Sequence, residues 1–295
     1  MGNGNTCAVV VTYNRIELLK ECINALLNQT SNVGHVVVYD NASSDGTKEY
    51  LDSIKNDQVI SFHSDTNLGG AGGFSNGLKL AYEKTDDQYF WLMDDDTIVA
   101  EDCNEVFLEK AQLLDDQFGF LSTNVRWKDG TPTNVMLTDT MWPNRVDDGL
   151  IEMEYGSFVS FFITRDSVEK IGLPISEFFI WGDDSDFSLR LRRINPGYFV
   201  IRAHAVHKSG SSVVAPGVAE DDEMRINRYY YYYRNQMYIW KHHYGKYWKL
   251  FFKYSLQALF VLKKSKNKRF KRMLVVYRGL FASLSFNPKI VFVKK

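Results

Sequence analysis

The chain of 295 residues is long enough for one large domain with an extension, or for two small domains. An apolar content of 45% with 24% charged residues excludes a largely disordered chain. The three cysteines have neither CxxC spacing nor the even count of a disulfide framework, which favours a reducing, cytoplasmic compartment. The chain starts with polar residues, and no apolar run reaches the roughly 20 residues of a membrane helix, so neither a signal peptide nor a spanning helix is expected.

Alternating apolar patterns dominate the first third of the chain. Residues 7–12 form a β-branched run typical of a buried strand, and Ile16, Leu19, Ile23 and Leu26 then recur at helical spacing. The same reasoning predicts strands over 35–39, 59–62 and 89–93, and helices ending near 54 and spanning about 74–83. This βαβαβαβ order predicts an α/β fold with a mainly parallel central sheet and helices on both faces.

Polar residues follow the predicted strands at Asp40, at Asn67 and at Asp94 to Asp96. Ligands of such sheets bind beyond the carboxyl ends of the strands, so these residues mark a candidate site. Three adjacent acids repel one another, and a divalent cation bridging to a diphosphate would relieve the repulsion. A solvated acidic turn is the alternative. A calcium loop of the EF-hand type is excluded because Val99 stands where the turn needs glycine.

Four segments together resemble family 2 glycosyltransferases: residues 11–15 (VTYNR), 39–47 (YDNASSDGT), 67–74 (NLGGAGGF) and 93–96 (MDDD). With a later Trp-Gly-Asp-Asp and a histidine, the resemblance covers roughly residues 6 to 212. It implies a GT-A fold. It also implies donor binding by Thr12, Tyr13, Arg15, Asp40, Asn67, Gly70, Asp94 and Asp95.

The acidic triplet, the glycine-rich segment and the Trp before the second acidic pair most resemble bacterial galactofuranosyltransferases. The implied donor is UDP-galactofuranose, and the implied acceptor is a lipid-linked precursor of a cell-surface glycan, as in bacterial cell-wall polysaccharide synthesis. Bacterial rhamnosyltransferases share much of the pattern, so transfer from dTDP-rhamnose stays open. An inactive glycan- or membrane-binding module is an alternative of another class, against which the intact carboxylates argue.

The second acidic site contains the candidate base. Inverting transfer needs a base that takes the proton of the acceptor hydroxyl, and adjacent carboxylates tend to raise one pKa. Asp183 and Asp184 fit this role, although either could instead cap a helix running to Arg193. The resemblance gives the role to Asp184, and Gly182, which the galactofuranosyl relatives lack, leaves Asp183 open.

Two further residues complete the predicted site. Trp181 could offer an aromatic face to the acceptor or belong to the core. The resemblance assigns metal binding to Asp94, Asp96 and His207, with Mn²⁺ or Mg²⁺ as the cation, and we favour His207 over His204.

The charge is divided unevenly along the chain. Every acid lies at or before Glu223, and residues 224–295 contain 18 Lys and Arg and no acid. We place a boundary at 215, between a catalytic domain (1–215) and a basic, aromatic, mostly helical extension (216–295). The extension has the composition of helices that lie in a membrane interface, which predicts peripheral association with the inner face of the membrane. Packing or homo-oligomerisation is the competing interpretation, and no nucleic-acid motif is present.

Overall fold

The computed structural model describes residues 5–210 and 217–294. The strands of this part are β1 (Thr6–Thr12), β2 (His35–Asp40), β3 (Val59–His63), β4 (Tyr89–Asp94), β5 (Thr97–Val99), β6 (Phe120–Trp127), β7 (Leu150–Met153), β8 (Phe161–Thr164) and β9 (Gly197–His207). The α-helices are α1 (Ile16–Leu27), α2 (Thr47–Ser53), α3 (Gly69–Lys84), α4 (Cys103–Leu113), α5 (Arg165–Ile171), α6 (Asp183–Leu191), α7 (Tyr229–Ile239), α8 (Tyr247–Lys264) and α9 (Arg269–Ala282).

All the strands of the described residues belong to one sheet, in the order β3-β2-β1-β4-β8-β6-β9-β5, with β7 paired to β9. The first four strands are parallel, as the sequence predicts. Beyond β4 the sheet is mixed, because β8 runs antiparallel to both β4 and β6. These later strands come from a segment without clear periodicity, which is why the sequence did not reveal their direction.

Apolar residues cover both faces of the sheet. Along β1, Ala8 and Val10 point into the cluster that includes α1 and α4, while Val9 and Val11 point into the cluster that includes α3 and α6. A strand covered on both sides needs a continuous apolar run rather than an alternating one, and residues 7–11 supply it. The carboxyl ends of β1 and β4 are thereby fixed side by side.

Helix α3 begins at Gly69, five residues before the predicted start at 74. The glycine-rich segment is therefore the first part of a helix and not a loop. A Cβ on Gly73 would lie 2.4 Å from Cγ1 of Val11, closer than side chains tolerate. Glycine at this position therefore allows α3 to pack closely against β1.

The extension is mostly helical, which confirms its predicted secondary structure. Helix α7 is followed by a π-helical turn at Trp240–Tyr244 and then by α8 and α9. After α9 the chain returns to the sheet domain, where the Leu173 amide donates to the Val291 carbonyl at 2.8 Å. The boundary placed at 215 falls outside the described residues. Among the described helices, none has the length and apolar character needed to span a bilayer.

Candidate active site

A cleft of about 430 Å³ opens at the carboxyl ends of β1 and β4. Its wall brings together most of the residues predicted from the sequence: Thr12, Tyr13, Arg15, Asn67, Gly70, Asp94, Asp95, Trp181, Asp183 and Asp184. Three predicted residues, Asp40, Asp96 and His207, are not part of this wall. Segments that are about 90 residues apart in the sequence, around Asp94 and Asp184, thus meet in one place.

Asp94, Asp96 and His207 form a group whose ligand atoms all lie within 4.8 Å of one another. Antiparallel pairing of β5 with β9 sets Thr97 opposite His207, and this places the imidazole beside Asp96. Nε2 of His207 lies 3.0 Å from Oδ1 of Asp96, yet that oxygen has no hydrogen-bond partner. An oxygen without a hydrogen-bond donor, close to an imidazole nitrogen and to Asp94, could be a ligand of a shared cation.

The imidazole of His207 is oriented by Asn134, a residue that the sequence did not single out. Nδ1 of His207 lies 2.9 Å from Oδ1 of Asn134. An amide oxygen only accepts, so Nδ1 carries the proton, and in the neutral imidazole Nε2 keeps the lone pair that a metal needs.

The charges of this group are unevenly distributed. Burial and then Asp96 raise the pKa of Asp94 to about 7. Burial also opposes ionisation of Asp96, but His207 and Arg15 hold its pKa below the ordinary value. For His207, burial is outweighed by Asp96 and Asp94, which raise its pKa. Two carboxylates and an imidazole fit Mn²⁺ or Mg²⁺, whose charge would relieve the repulsion between Asp94 and Asp96.

Asp95 turns away from this group and binds the end of β1. Its Oδ2 accepts from the Thr12 hydroxyl at 2.7 Å, and its Oδ1 accepts from the Arg15 guanidinium at 3.1 Å. Burial raises the pKa of Asp95 to about 6, although Arg15 and Thr12 oppose the shift. Asp95 therefore fixes two other predicted donor-binding residues, while Tyr13, 45% exposed, leaves its ring accessible at the cleft.

Asp40 is fully buried and holds the turn after β2. It accepts from the Ser43 amide at 3.0 Å, and its other oxygen lies 2.6 Å from Nδ1 of His63. Its neighbour Asn41, which the sequence analysis overlooked, lines the cleft and accepts from the Leu68 amide at 2.8 Å. Because Asn41 also follows a strand end, the rule that pointed to Asp40 could have found it.

The candidate base lies in the first turn of α6. Gly182 precedes the helix with φ of 93°. Asp183 is buried, and burial together with Asp184 raises its pKa well above the ordinary value. Asp184 is partly exposed, and burial raises its pKa to about 6 although hydrogen bonds from Ser185 oppose the shift. With a pKa of about 6, Asp184 is mainly a carboxylate near neutral pH, whereas the raised pKa of Asp183 disfavours its carboxylate form.

Asp186 and Arg190, one helical turn apart on α6, form a buried salt bridge at 2.9 Å. Nε2 of His243, from the extension, lies 2.8 Å from the other oxygen of Asp186. The extension covers this side of α6, which explains the burial of the pair.

Two residues link the extension to the cleft. Trp181 packs against Tyr229 and Tyr232, with ring centroids 5.2 and 6.2 Å away, and also lines the cleft. Its two predicted roles, core and cleft, are both compatible with this position. Arg228, which the sequence did not single out, is an exposed cation in the cleft wall.

Comparison with known proteins identifies the family. The sequence profile of Glycosyl transferase family 2 matches residues 7–171, more than half of the chain. The chain belongs to this family. It is a glycosyltransferase, and the expected fold is confirmed by GalNAc-T7, solved with UDP, GalNAc and Mn²⁺, whose structure superposes with a TM-score of 0.65 at 15% identity. The match covers 92% of this chain and 54% of GalNAc-T7.

Among curated proteins, this chain is similar to two mycobacterial galactofuranosyltransferases. It is 27% identical to GlfT1 of Mycolicibacterium smegmatis over 259 residues, which are 79% of this chain and 82% of GlfT1. It is 24% identical to GlfT2 of Mycobacterium tuberculosis over 226 residues. These cover 64% of this chain but only 35% of GlfT2.

Proposed function

We propose that this family 2 glycosyltransferase moves galactofuranose from UDP-galactofuranose onto a cell-surface glycan precursor with inversion of configuration. The observation that carries the proposal is that one cleft contains Asp94 of the metal-ligand group and the carboxylate of Asp184. The similarity to GlfT1 over most of both chains supports galactofuranose as the sugar.

The reaction we propose is a direct displacement at the anomeric carbon. Asp184 accepts the proton of the acceptor hydroxyl as the new carbon–oxygen bond forms, and the bond to the diphosphate breaks on the opposite side. A divalent cation bound by Asp94, Asp96 and His207 would supply charge stabilisation for the leaving diphosphate. Arg228 is suited to bind the same anion, because it is an exposed cation that lines the cleft.

One part of the extension packs into a hydrophobic core, and another part forms an exposed surface. Tyr229 and Tyr233 of α7 are buried in a core shared with α8 and α9. On α8, an apolar outer stripe stays exposed: Trp248, Phe252, Leu256, Leu259 and Phe260. Exposed lysines, Lys249 and Lys253 among them, flank the stripe. We propose that the outer stripe contacts an anionic membrane surface, where a lipid-linked acceptor would be located.

The test is a donor screen with purified protein, Mn²⁺ and a pool of lipid-linked oligosaccharides. UDP-galactofuranose, UDP-galactopyranose and dTDP-rhamnose are compared by nucleotide release, and the product's anomeric configuration is read by NMR. Acceptor-dependent release from UDP-galactofuranose alone, with an inverted product, is the expected result. Preferential use of dTDP-rhamnose would replace the proposed sugar, and a retained configuration would overturn direct displacement.

A further inference from the structure

The side-chain amide of Asn235, on α7, contacts the loop that leads to the candidate base. Asn235 is fully buried. Its Nδ2 donates to the carbonyls of Phe178, Ile180 and Trp181 at 2.9, 3.1 and 2.8 Å. Two amide hydrogens serve three carbonyls, so one hydrogen is shared. One side chain thus satisfies three backbone carbonyls of a segment more than 50 residues away in the sequence.

This loop has a backbone that needs outside support. Phe179 and Trp181 both have positive φ, 64° and 65°, in a region that residues with side chains rarely adopt. Such conformations are strained and persist only when the surroundings hold them. Residues 179–184 form one wall of the cleft without interruption, so the loop's conformation sets the position of Trp181 and Asp184.

The opposite side of the loop rests on α3. The Phe179 carbonyl accepts from the Ala71 amide at 3.1 Å. A Cβ on Gly69 would lie 2.0 Å from that carbonyl oxygen, so this approach requires glycine. The loop is therefore held between α3 of the sheet domain and α7 of the extension.

Arg234 fixes the orientation of the Asn235 amide. Its Nε and Nη2 donate to Oδ1 of Asn235 at 3.0 and 2.9 Å, and Nη2 also donates to the Glu177 carbonyl at 2.6 Å. Reversing the amide would set its oxygen against three carbonyls and its NH₂ group against a guanidinium. Only one orientation is compatible with these partners.

We propose that Asn235 is a positioning residue, which holds the 178–181 loop so that Asp184 and Trp181 face the acceptor. The inference rests on the proposed function for the role of Asp184. It makes the extension a part of the active site, in addition to its proposed contact with the membrane. The donor side of the cleft, around Asp94 and Thr12, lies outside the contacts of Asn235.

Two variants and one control test the inference in the full chain. Asn235→Asp keeps the size and the acceptor for Arg234 but removes the donors, and Asn235→Ala removes both. Gln236→Ala is the matched control, because it deletes the neighbouring amide on the same helix, which is only half-buried. If Asn235→Asp does not fold, Asn235→Ser, which retains a single donor, replaces it.

The first measurement is hydrogen–deuterium exchange of the peptide covering 176–186, which needs no substrate. Exchange in both Asn235 variants is expected to accelerate by about tenfold or more there, with other peptides and Gln236→Ala like wild type. Unchanged exchange in this peptide would overturn the inference. Faster exchange together with a wild-type chain that transfers no sugar supports the loop contact and contradicts the proposed function.

The second measurement separates turnover from donor binding. A displacement of the base by about 1 Å can lower turnover about 100-fold, so we expect a loss of that order in kcat for transfer. Affinity for UDP with Mn²⁺, measured by calorimetry, is expected to stay within about threefold of wild type. Equal losses in kcat and UDP affinity, or full activity of Asn235→Ala, would contradict a role on the acceptor side.

Discussion

At the scale of single residues, the proposed metal ligands Asp94, Asp96 and His207 are expected to make stability depend on a divalent cation. Their ligand atoms lie close together in a partly buried group, so a cation that binds only the folded chain raises its melting temperature. With Mn²⁺ at about 100 times its Kd, the expected stabilisation is about 2.7 kcal/mol. Thermal unfolding with Mn²⁺ and after chelation measures it.

Asp96→Asn is expected to lose most of this response. Asp102→Asn is the matched control, since Asp102 is an exposed acid a few residues away. Equal Mn²⁺ responses in the two variants would show that the cation binds elsewhere.

The two acids at the start of α6 are expected to differ in their effect on the rate. The pKa of Asp184 is about 6, and a base acts only when deprotonated, so the transfer rate should rise with pH through about 6 and then level off. Asp184→Asn is expected to lower kcat by roughly 10²–10⁴-fold and to remove this dependence. Burial and Asp184 raise the pKa of Asp183 well above the ordinary value, which disfavours the carboxylate that a base needs, so Asp183→Asn should cost less.

Rates of nucleotide release with acceptor present, from pH 5 to pH 9, distinguish the two acids. Mn²⁺-dependent UDP affinity serves as the control for intact donor binding in each variant. A larger loss of kcat in Asp183→Asn than in Asp184→Asn would move the base to Asp183.

At the scale of elements, the close packing of α3 on β1 depends on Gly73. A Cβ there would lie 2.4 Å from Val11, so Gly73→Ala is expected to destabilise the fold by about 1–3 kcal/mol. Gly70→Ala is the control on the same helix, since a Cβ there meets nothing within 4 Å. It should be neutral or gain up to about 1 kcal/mol from helix propensity. Urea unfolding gives both values, and equal stability would exclude the steric argument.

The first four strands and their helices were predictable because long, regular apolar patterns record local structure. Strands of three or four residues such as β5 and β8 carry almost no periodicity, so their pairing could not be read from the sequence. The pairing of β5 with β9 nevertheless places His207 beside Asp96.

In the site, too, some residues were predictable from local patterns, whereas others depend on long-range contacts. Asp94 and Asp96 were found from their place at a strand end, and His207 from the family resemblance. Asn134 and Asn235 act through contacts with segments 73 and more than 50 residues away. Neither belongs to a motif, because an amide donor or acceptor gains its role only from what the fold places beside it.

At the scale of the whole molecule, the basic extension has a contact with the sheet domain and a proposed contact with the membrane. Salt is expected to affect these two contacts differently. Its contact with the sheet domain is made of buried groups: Phe178 and Ile175 pack with Tyr238 and Ile239, and His243 reaches Asp186. Screening weakens exposed charges far more than buried ones. We therefore expect a single calorimetric unfolding transition at both low and high NaCl. A separate early transition at high salt would show that the extension is held by surface charge.

The proposed membrane contact, by contrast, is expected to weaken when salt is added. Each lysine or arginine near an anionic surface contributes about 1 kcal/mol, and this attraction disappears when salt shortens the screening length. Wild type should float with anionic vesicles at low salt, less at high salt, and little with neutral phosphatidylcholine. Replacing Phe252 and Phe260 of the outer stripe by serine should abolish flotation, while Met224→Ser, at a residue 90% exposed but off α8, should not. Flotation that survives loss of the stripe would assign the membrane contact to another surface and leave the outer stripe as a packing face.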